Sequence, residues 1–168
     1  PRIEYTFTKN GQTVTSEKFL GTDQGYTYVS SRVLNEEKAK AKITDYSVIN
    51  PQGEDITQQT FTGPILMFII YNADKASSEN ISELQSLIES LNGKVNMLIL
   101  TASDEAAIEK FRHEHQLAVP YAFADATVLK TIIRSNPGIT LWRDGIVLGN
   151  WHHNNTPTSA EVLSLSER

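Results

Sequence analysis

Eight consecutive apolar residues, Pro64-Ile-Leu-Met-Phe-Ile-Ile-Tyr71, sit in the middle of this chain. A strand with one wet face alternates apolar and polar side chains. An unbroken run of strand length therefore predicts a strand, Ile65–Tyr71, buried on both faces and introduced by Gly63 and Pro64. Such a strand belongs inside a sheet that has helices on either side, and the flanking sequence supplies them.

Downstream, Ile81, Leu84, Leu87, Ile88 and Leu91 share one helical stripe. Asn80 and Glu83 predict a capping box there, and Asn92-Gly93 a stop. Val95–Leu100 reads as a second buried strand. Ser103 is the expected cap of a helix whose apolar face holds Ile108 and Phe111. Tyr121–Ala124 is a third short strand, and Asp125 caps a brief helix from Ala126 to Arg134. After Asn136-Pro137-Gly138, a hairpin joins Ile139–Trp142 to Ile146–Leu148 through Arg143-Asp144-Gly145. Thr158 with Glu161 then opens a last helix. Upstream, Tyr46–Ile49 predicts a short strand turned by Asn50-Pro-Gln-Gly53. The order β-β-α-β-α-β-α-β-β-α gives an α/β class, a mixed central sheet flanked by helices.

The first residues read differently. Ile3–Phe19 alternates, and Asn10-Gly11 supplies the two positive-φ positions of a type I′ turn, which predicts a hairpin. Tyr26–Val29 is either one further strand or part of a loop. Asn35–Lys42 is charged and lacks an apolar face, so it reads as a linker. The boundary is placed near Ile43, giving a β-hairpin extension with linker over 1–43 and an α/β domain over 44–168.

The 168 residues, 39% of them apolar, suffice for one domain with a real core. The net charge of -5 and the absence of any basic stripe speak against nucleic acid. There is no cysteine, which removes disulfides, thiolate metal sites and thiol-disulfide exchange from this chain's own chemistry. No apolar run is long enough to cross a bilayer. The chain starts at Pro1 without a methionine. A processed protein or a piece of a larger one is therefore expected, with any membrane segment upstream.

The loop Tyr71-Asn-Ala-Asp-Lys-Ala-Ser77-Ser-Glu-Asn80 precedes a helix start, where free N–H groups suit an anion or a partner carbonyl. Its simpler reading is that Ser77, Ser78 or Asn80 caps the helix. Ser77 has no visible base to make it a nucleophile. His113 and His115 point to different faces of one helix, with His115 one turn after Phe111 on the apolar side. His152 and His153 follow the last strand, where alternation sends one to each face. No third ligand lies within sequence reach, so no metal site is assigned. Trp151-His152-His153-Asn154 is expected to form an edge or partner surface, and Trp142 and Trp151 to bury against helices. Lys130 and Arg134 belong to a solvated helical face. No phosphate loop, nucleophile elbow or paired-carboxylate signature is present, and no catalytic residue or cofactor is assigned.

Four segments carry a resemblance. Asp45-Tyr-Ser-Val-Ile-Asn-Pro-Gln-Gly-Glu-Asp-Ile56 resembles the opening of the membrane-anchored thiol-disulfide reductases and peroxiredoxins, and Gly63 with the strand Ile65–Tyr71 resembles the strand that carries their redox motif. Ser135-Asn-Pro137 followed by Gly138-Ile-Thr-Leu-Trp-Arg-Asp-Gly-Ile-Val resembles their proline segment. Asp125–Gly138 with Trp151-His-His is similar to the soluble tail of Bacteroidetes DoxX-like membrane proteins. The resemblance implies a thioredoxin-like fold, a cis Asn136–Pro137 peptide, and Asp74 and Ser77 in place of the attacking and resolving cysteines. It implies a groove of Tyr71, Asp74, Ser77, Asn136 and Pro137 that holds an extended peptide or partner protein. It also implies a non-catalytic domain attached to a membrane through an upstream DoxX-like region, on the periplasmic side or on the other. The alternative is a component of a membrane redox system, thiol-disulfide or quinone-linked, whose active cysteines lie elsewhere. A purely structural module is the third reading.

Overall fold

The structure, a computed structural model, describes residues 3–33 and 46–167. The linker expected at Asn35–Lys42, the boundary near Ile43 and Arg168 lie outside the described residues. Two units divide the chain, Pro1–Asp45 and Tyr46–Arg168.

In the first unit β1 (Ile3–Lys9) and β2 (Gln12–Ser16) form the expected hairpin. Asn10 at φ 53 and Gly11 at φ 76 supply the positive-φ pair that a two-residue turn requires. Residues Thr27–Val33 form β3, antiparallel to β1, so the sheet runs β2-β1-β3 and the strand reading of Tyr26–Val29 is the one observed. Phe7 is fully buried. The rings of Tyr5, Phe19, Tyr26 and Tyr28 surround it, with centroids 5.4 to 6.3 Å away.

The second unit is built on β4 (Pro64–Ile70). Its side chains alternate between two apolar clusters. Leu66, Phe68 and Ile70 enter one, while Ile65, Met67 and Ile69 enter the other. Every residue from Leu66 to Ile70 is fully buried, and each such side chain contributes about 1.5–3 kcal/mol of burial. That is why the run needs no polar alternation.

Around it the sheet order is β6-β5-β4-β7-β8, with β5 at Asn96–Thr101, β6 at Tyr121–Phe123, β7 at Gly138–Arg143 and β8 at Ile146–His152. Strands β4, β5 and β6 are parallel to one another. Strand β7 is antiparallel to both β4 and β8, which makes the sheet mixed. Helices α1 (Ile81–Leu91), α2 (Glu105–His115) and α4 (Ser159–Ser166) cover the first cluster. On the opposite face lie α3 (Ala126–Ile132) and the 3-10 turn Thr57–Phe61. Trp142 is buried there, stacked on Phe61 with ring centroids 6.0 Å apart, and its indole N–H donates to Thr140 Oγ1 at 2.8 Å.

Several local expectations change. Tyr46–Ile49 is not a strand. Only Ile49 makes bridges, to Asp55 and Phe123, because Asn50 closes a turn at once, its Oδ1 accepting from Gln52 N and Glu54 N. Helix α2 is capped by Asp104, whose side chain accepts from Ala107 N at 2.8 Å. The Ser103 hydroxyl instead accepts from Ala73 N. Helix α3 stops at Ile132, since Ile133 is extended at φ -158, and Arg134 therefore lies outside it. Caps at Asp125 and Thr158 stand as expected.

Candidate functional site

Beyond β4 the chain folds over the sheet's end. Asn72 Oδ1 accepts from Asp74 N (3.0 Å) and Lys75 N (3.2 Å), fixing the 3-10 turn Ala73–Lys75, and Ala76 returns to an extended conformation. Strand β7 starts with Gly138 opposite Ile69, so residues 135–137 come up beside this loop. Ser77 N donates to Asn136 O at 2.9 Å, and Asn136 Nδ2 donates to Asn72 O at 2.8 Å. The Asn136–Pro137 peptide is cis, as the resemblance implies. Below it the buried Ser135 hydroxyl donates to Pro137 O and accepts from His153 N at 3.0 Å.

Asn80 holds the N-cap position of α1 but does not cap it. At φ -116 and ψ 27 it lacks the extended backbone that aims a cap side chain at the first amides. Its amide donates to Asn154 Oδ1 at 2.8 Å and lies 3.1 Å from His153 Nδ1. Ser77 Oγ accepts from Glu79 N and is bonded to no base among the described residues. No side chain of Ser77, Ser78 or Asn80 therefore caps α1. Ser77, Asn80, Ile81, Pro137, Ile139 and His153 line a notch of about 10 Å³, room for about one water.

The five candidate residues thus fall into separate groups. Ser77, Asn136 and Pro137 meet. Asp74 is exposed on the 3-10 turn. Tyr71 is half-buried against the other cluster, with Lys130 Nζ 5.0 Å from its ring centroid. Asn136 Oδ1 is buried and has no hydrogen-bond partner among the described residues. The Asn136 N–H is likewise unpaired among them.

The histidines are placed differently from what strand alternation implied. Strand β8 ends at His152, and His153 begins the 3-10 turn His153–Asn155, so the two rings lie together with centroids 4.2 Å apart. Burial holds the His153 pKa below its ordinary value, the charge of His152 adds to this, and Glu79 opposes it. A neutral ring is what lets Nδ1 accept from Asn80. His115 packs on Phe111 with ring centroids 4.5 Å apart. Among the described residues no group of three His, Cys, Asp or Glu converges as a metal site, and no helix is long and apolar enough to cross a membrane.

No spacing or periodicity in the sequence brings Asn80, Ser135, His153 and Asn154 together. The four lie up to 74 residues apart. The one local signal was a histidine just past the last strand.

No family model and no curated protein matches the chain. Solved structures do. The C-terminal domain of a putative thiol-disulfide oxidoreductase from Bacteroides thetaiotaomicron is 18% identical, covering 73% of this chain and 92% of its own, with a TM-score of 0.56. A secreted Mycobacterium tuberculosis disulfide oxidoreductase homologous to E. coli DsbE is 15% identical over 75% of this chain and 97% of its own, with a TM-score of 0.52. BsSco, a member of the Sco family of cytochrome c oxidase assembly proteins, is 15% identical over 72% and 91%, with a TM-score of 0.54. The second unit has the thioredoxin-like fold of these proteins, in a chain that contains no thiol.

Proposed function

We propose that this is a non-catalytic, thioredoxin-like partner-binding domain, tethered through an upstream DoxX-like membrane region. The observation that carries the reading is the absence of cysteine from all 168 residues. The groups gathered beside Pro137 are instead Ser77, Asn80 and His153. None of them passes electrons, and Ser77 lacks a base. An extended peptide is the favoured partner. The Asn136 N–H, unpaired among the described residues, offers one donor to a passing peptide backbone, while the buried Oδ1 does not take part. The Asn136 carbonyl is not available in the same way, since it already accepts from Ser77 N.

A second reading draws on the occurrence of this fold in thiol-disulfide oxidoreductases and in BsSco. It makes the domain part of a membrane redox system whose cysteines lie elsewhere. The gene sequence upstream of Pro1 discriminates, since it contains apolar spans and cysteines or lacks them, and its loop charges assign the side of the membrane.

The direct test uses the purified chain. It is expected to be inactive in insulin reduction yet to retain an extended peptide, with Asn136→Ala weakening retention up to about tenfold, the scale of the one hydrogen bond to Asn72 O that holds Asn136 in place. Retention unchanged in both Asn136→Ala and Asp74→Ala would remove the groove from this function.

A further inference from the structure

Strand β5 is longer than the neighbour that covers it. It begins at Asn96, while β6 pairs only with Ile99, Leu100 and Thr101. Ile99 N donates to Pro120 O at 2.8 Å, so Ile99 turns its backbone groups toward β6. Strand periodicity turns Met97 the same way, two residues earlier, where β6 has not begun. On that side Met97 has no hydrogen-bond partner among the described residues. The start of β5 is a short open stretch on the side that β6 covers farther along.

Two cavities flank this edge, one on each face. A cavity of about 410 Å³ lies on the face of the Ile65–Leu98 cluster and is lined by the amides of Gln52, Gln59 and Asn96 together with Ile56. Another, of about 380 Å³, lies on the face that Val95, Met97 and Val119 pack against and is lined also by Lys94 and Asn92. Asn96, Met97 and Pro120 belong to both. Among the described residues, Lys94 is the single charged one lining either.

We infer that the open edge of β5 at Met97 is a binding site for an extended peptide, added as a strand. Successive side chains of a strand point to opposite faces, which is how the two cavities are disposed about the edge. Backbone hydrogen bonds hold such a ligand, and alternate pockets select it. The amide-lined cavity takes an uncharged hydrogen-bonding side chain. The cavity beside Lys94 takes an acidic one at the next position. The site stands at the opposite end of the sheet from Pro137 and does not rest on the groove proposed there.

The test titrates the isotope-labelled chain of 168 residues with acetyl-Thr-Val-Gln-Glu-Val-Thr-amide and follows backbone amide resonances. Shifts are expected at Lys94, Asn96, Met97 and Leu98. Two further peptides, N-methylated on alternate residues in opposite phase, separate strand addition from side-chain binding. One is expected to lose about tenfold in affinity and the other to keep it, because only one phase of N–H groups faces the edge. In Lys94→Glu, an exposed substitution that leaves the core intact, the glutamate peptide is expected to weaken about threefold and its lysine counterpart to gain. Equal binding of both methylated peptides overturns the site. So do shifts confined to Ser77 and Asn136, or no shift at millimolar peptide.

Discussion

His153 ties three pieces of chain together through its ring and backbone. Its Nδ1 meets Asn80 at the start of α1, and its N–H donates to Ser135 Oγ beneath Pro137. Burial and the neighbouring His152 lower its folded pKa, against a weaker opposing pull from Glu79. The folded state therefore binds fewer protons at this ring than the unfolded chain, whose ordinary value is 6.5. This contribution to stability is complete above the unfolded value and is lost as pH falls from there toward the folded pKa. Urea midpoints are expected to drop across that interval. His153→Gln keeps an oxygen to accept from Asn80 and does not titrate, so its midpoint is expected to fall less over the same range. An equal fall in both proteins would assign the effect to other groups. Little of this cluster was legible in the sequence. Alternation put His152 and His153 on opposite faces, but alternation holds only within a strand, and β8 ends between them. Asn80 read as a cap from its spacing to Glu83. The backbone angles that disqualify it, like the partner 73 residues away that engages it, are products of the tertiary fold.

Among the elements, legibility followed burial. The apolar run of β4 and the stripe of α1 each declare a face, and both formed within a residue or so of the expected bounds. Tyr46–Ile49 had strand-like residues but no partner strand long enough to hold it. Ile133 and Arg134 suit a helix locally, so the spacing predicts a longer α3 than the one that ends at Ile132. The chain must instead straighten there to deliver Ser135 and Pro137 to the sheet's end. Gly138, the first residue of β7, marks how tight that delivery is. A Cβ placed on it would stand 2.5 Å from Ile133 Cγ2 and 2.9 Å from Ser135 O. The second contact is with backbone and cannot swing aside. Gly138→Ala is therefore expected to cost about 1–3 kcal/mol, the usual range for overpacking a closed site, read as a lowered midpoint in urea. A neutral result would mean that the 133–135 segment yields to a methyl group. The resemblance, not the periodicity, indicated where this segment lies, since the proline motif carries no hydrophobic pattern of its own.

For the molecule as a whole, the two units differ in what each can bury. All members of both apolar clusters of the second unit come from residues 46–168, and they include a five-stranded sheet with helices on either face. The first unit is a three-stranded sheet in which Phe7 is the only fully buried large side chain among the described residues, and Phe19 and Tyr28 remain 63% and 49% exposed. Chains of about 40 residues rarely bury enough apolar surface to fold unaided, and disulfides or metals usually make up the difference. This chain has no cysteine to supply either kind of staple from a thiol. Edge-to-face aromatic pairs add about 0.5–1.5 kcal/mol each beyond area burial. That is too little to offset the backbone entropy of ordering three strands, at roughly 1–2 kcal/mol per residue. A fragment of residues 46–168 is accordingly expected to give a dispersed amide spectrum and one cooperative urea transition. A fragment of residues 1–45 is expected to give the narrow spectrum and the gradual, featureless melt of an unfolded peptide. Cooperative unfolding of the shorter fragment would show that its aromatic cluster is a sufficient core. Loss of cooperativity in the longer one would show that the thioredoxin-like sheet depends on residues before Tyr46. The two outcomes are read separately, so each unit's autonomy is decided by its own measurement.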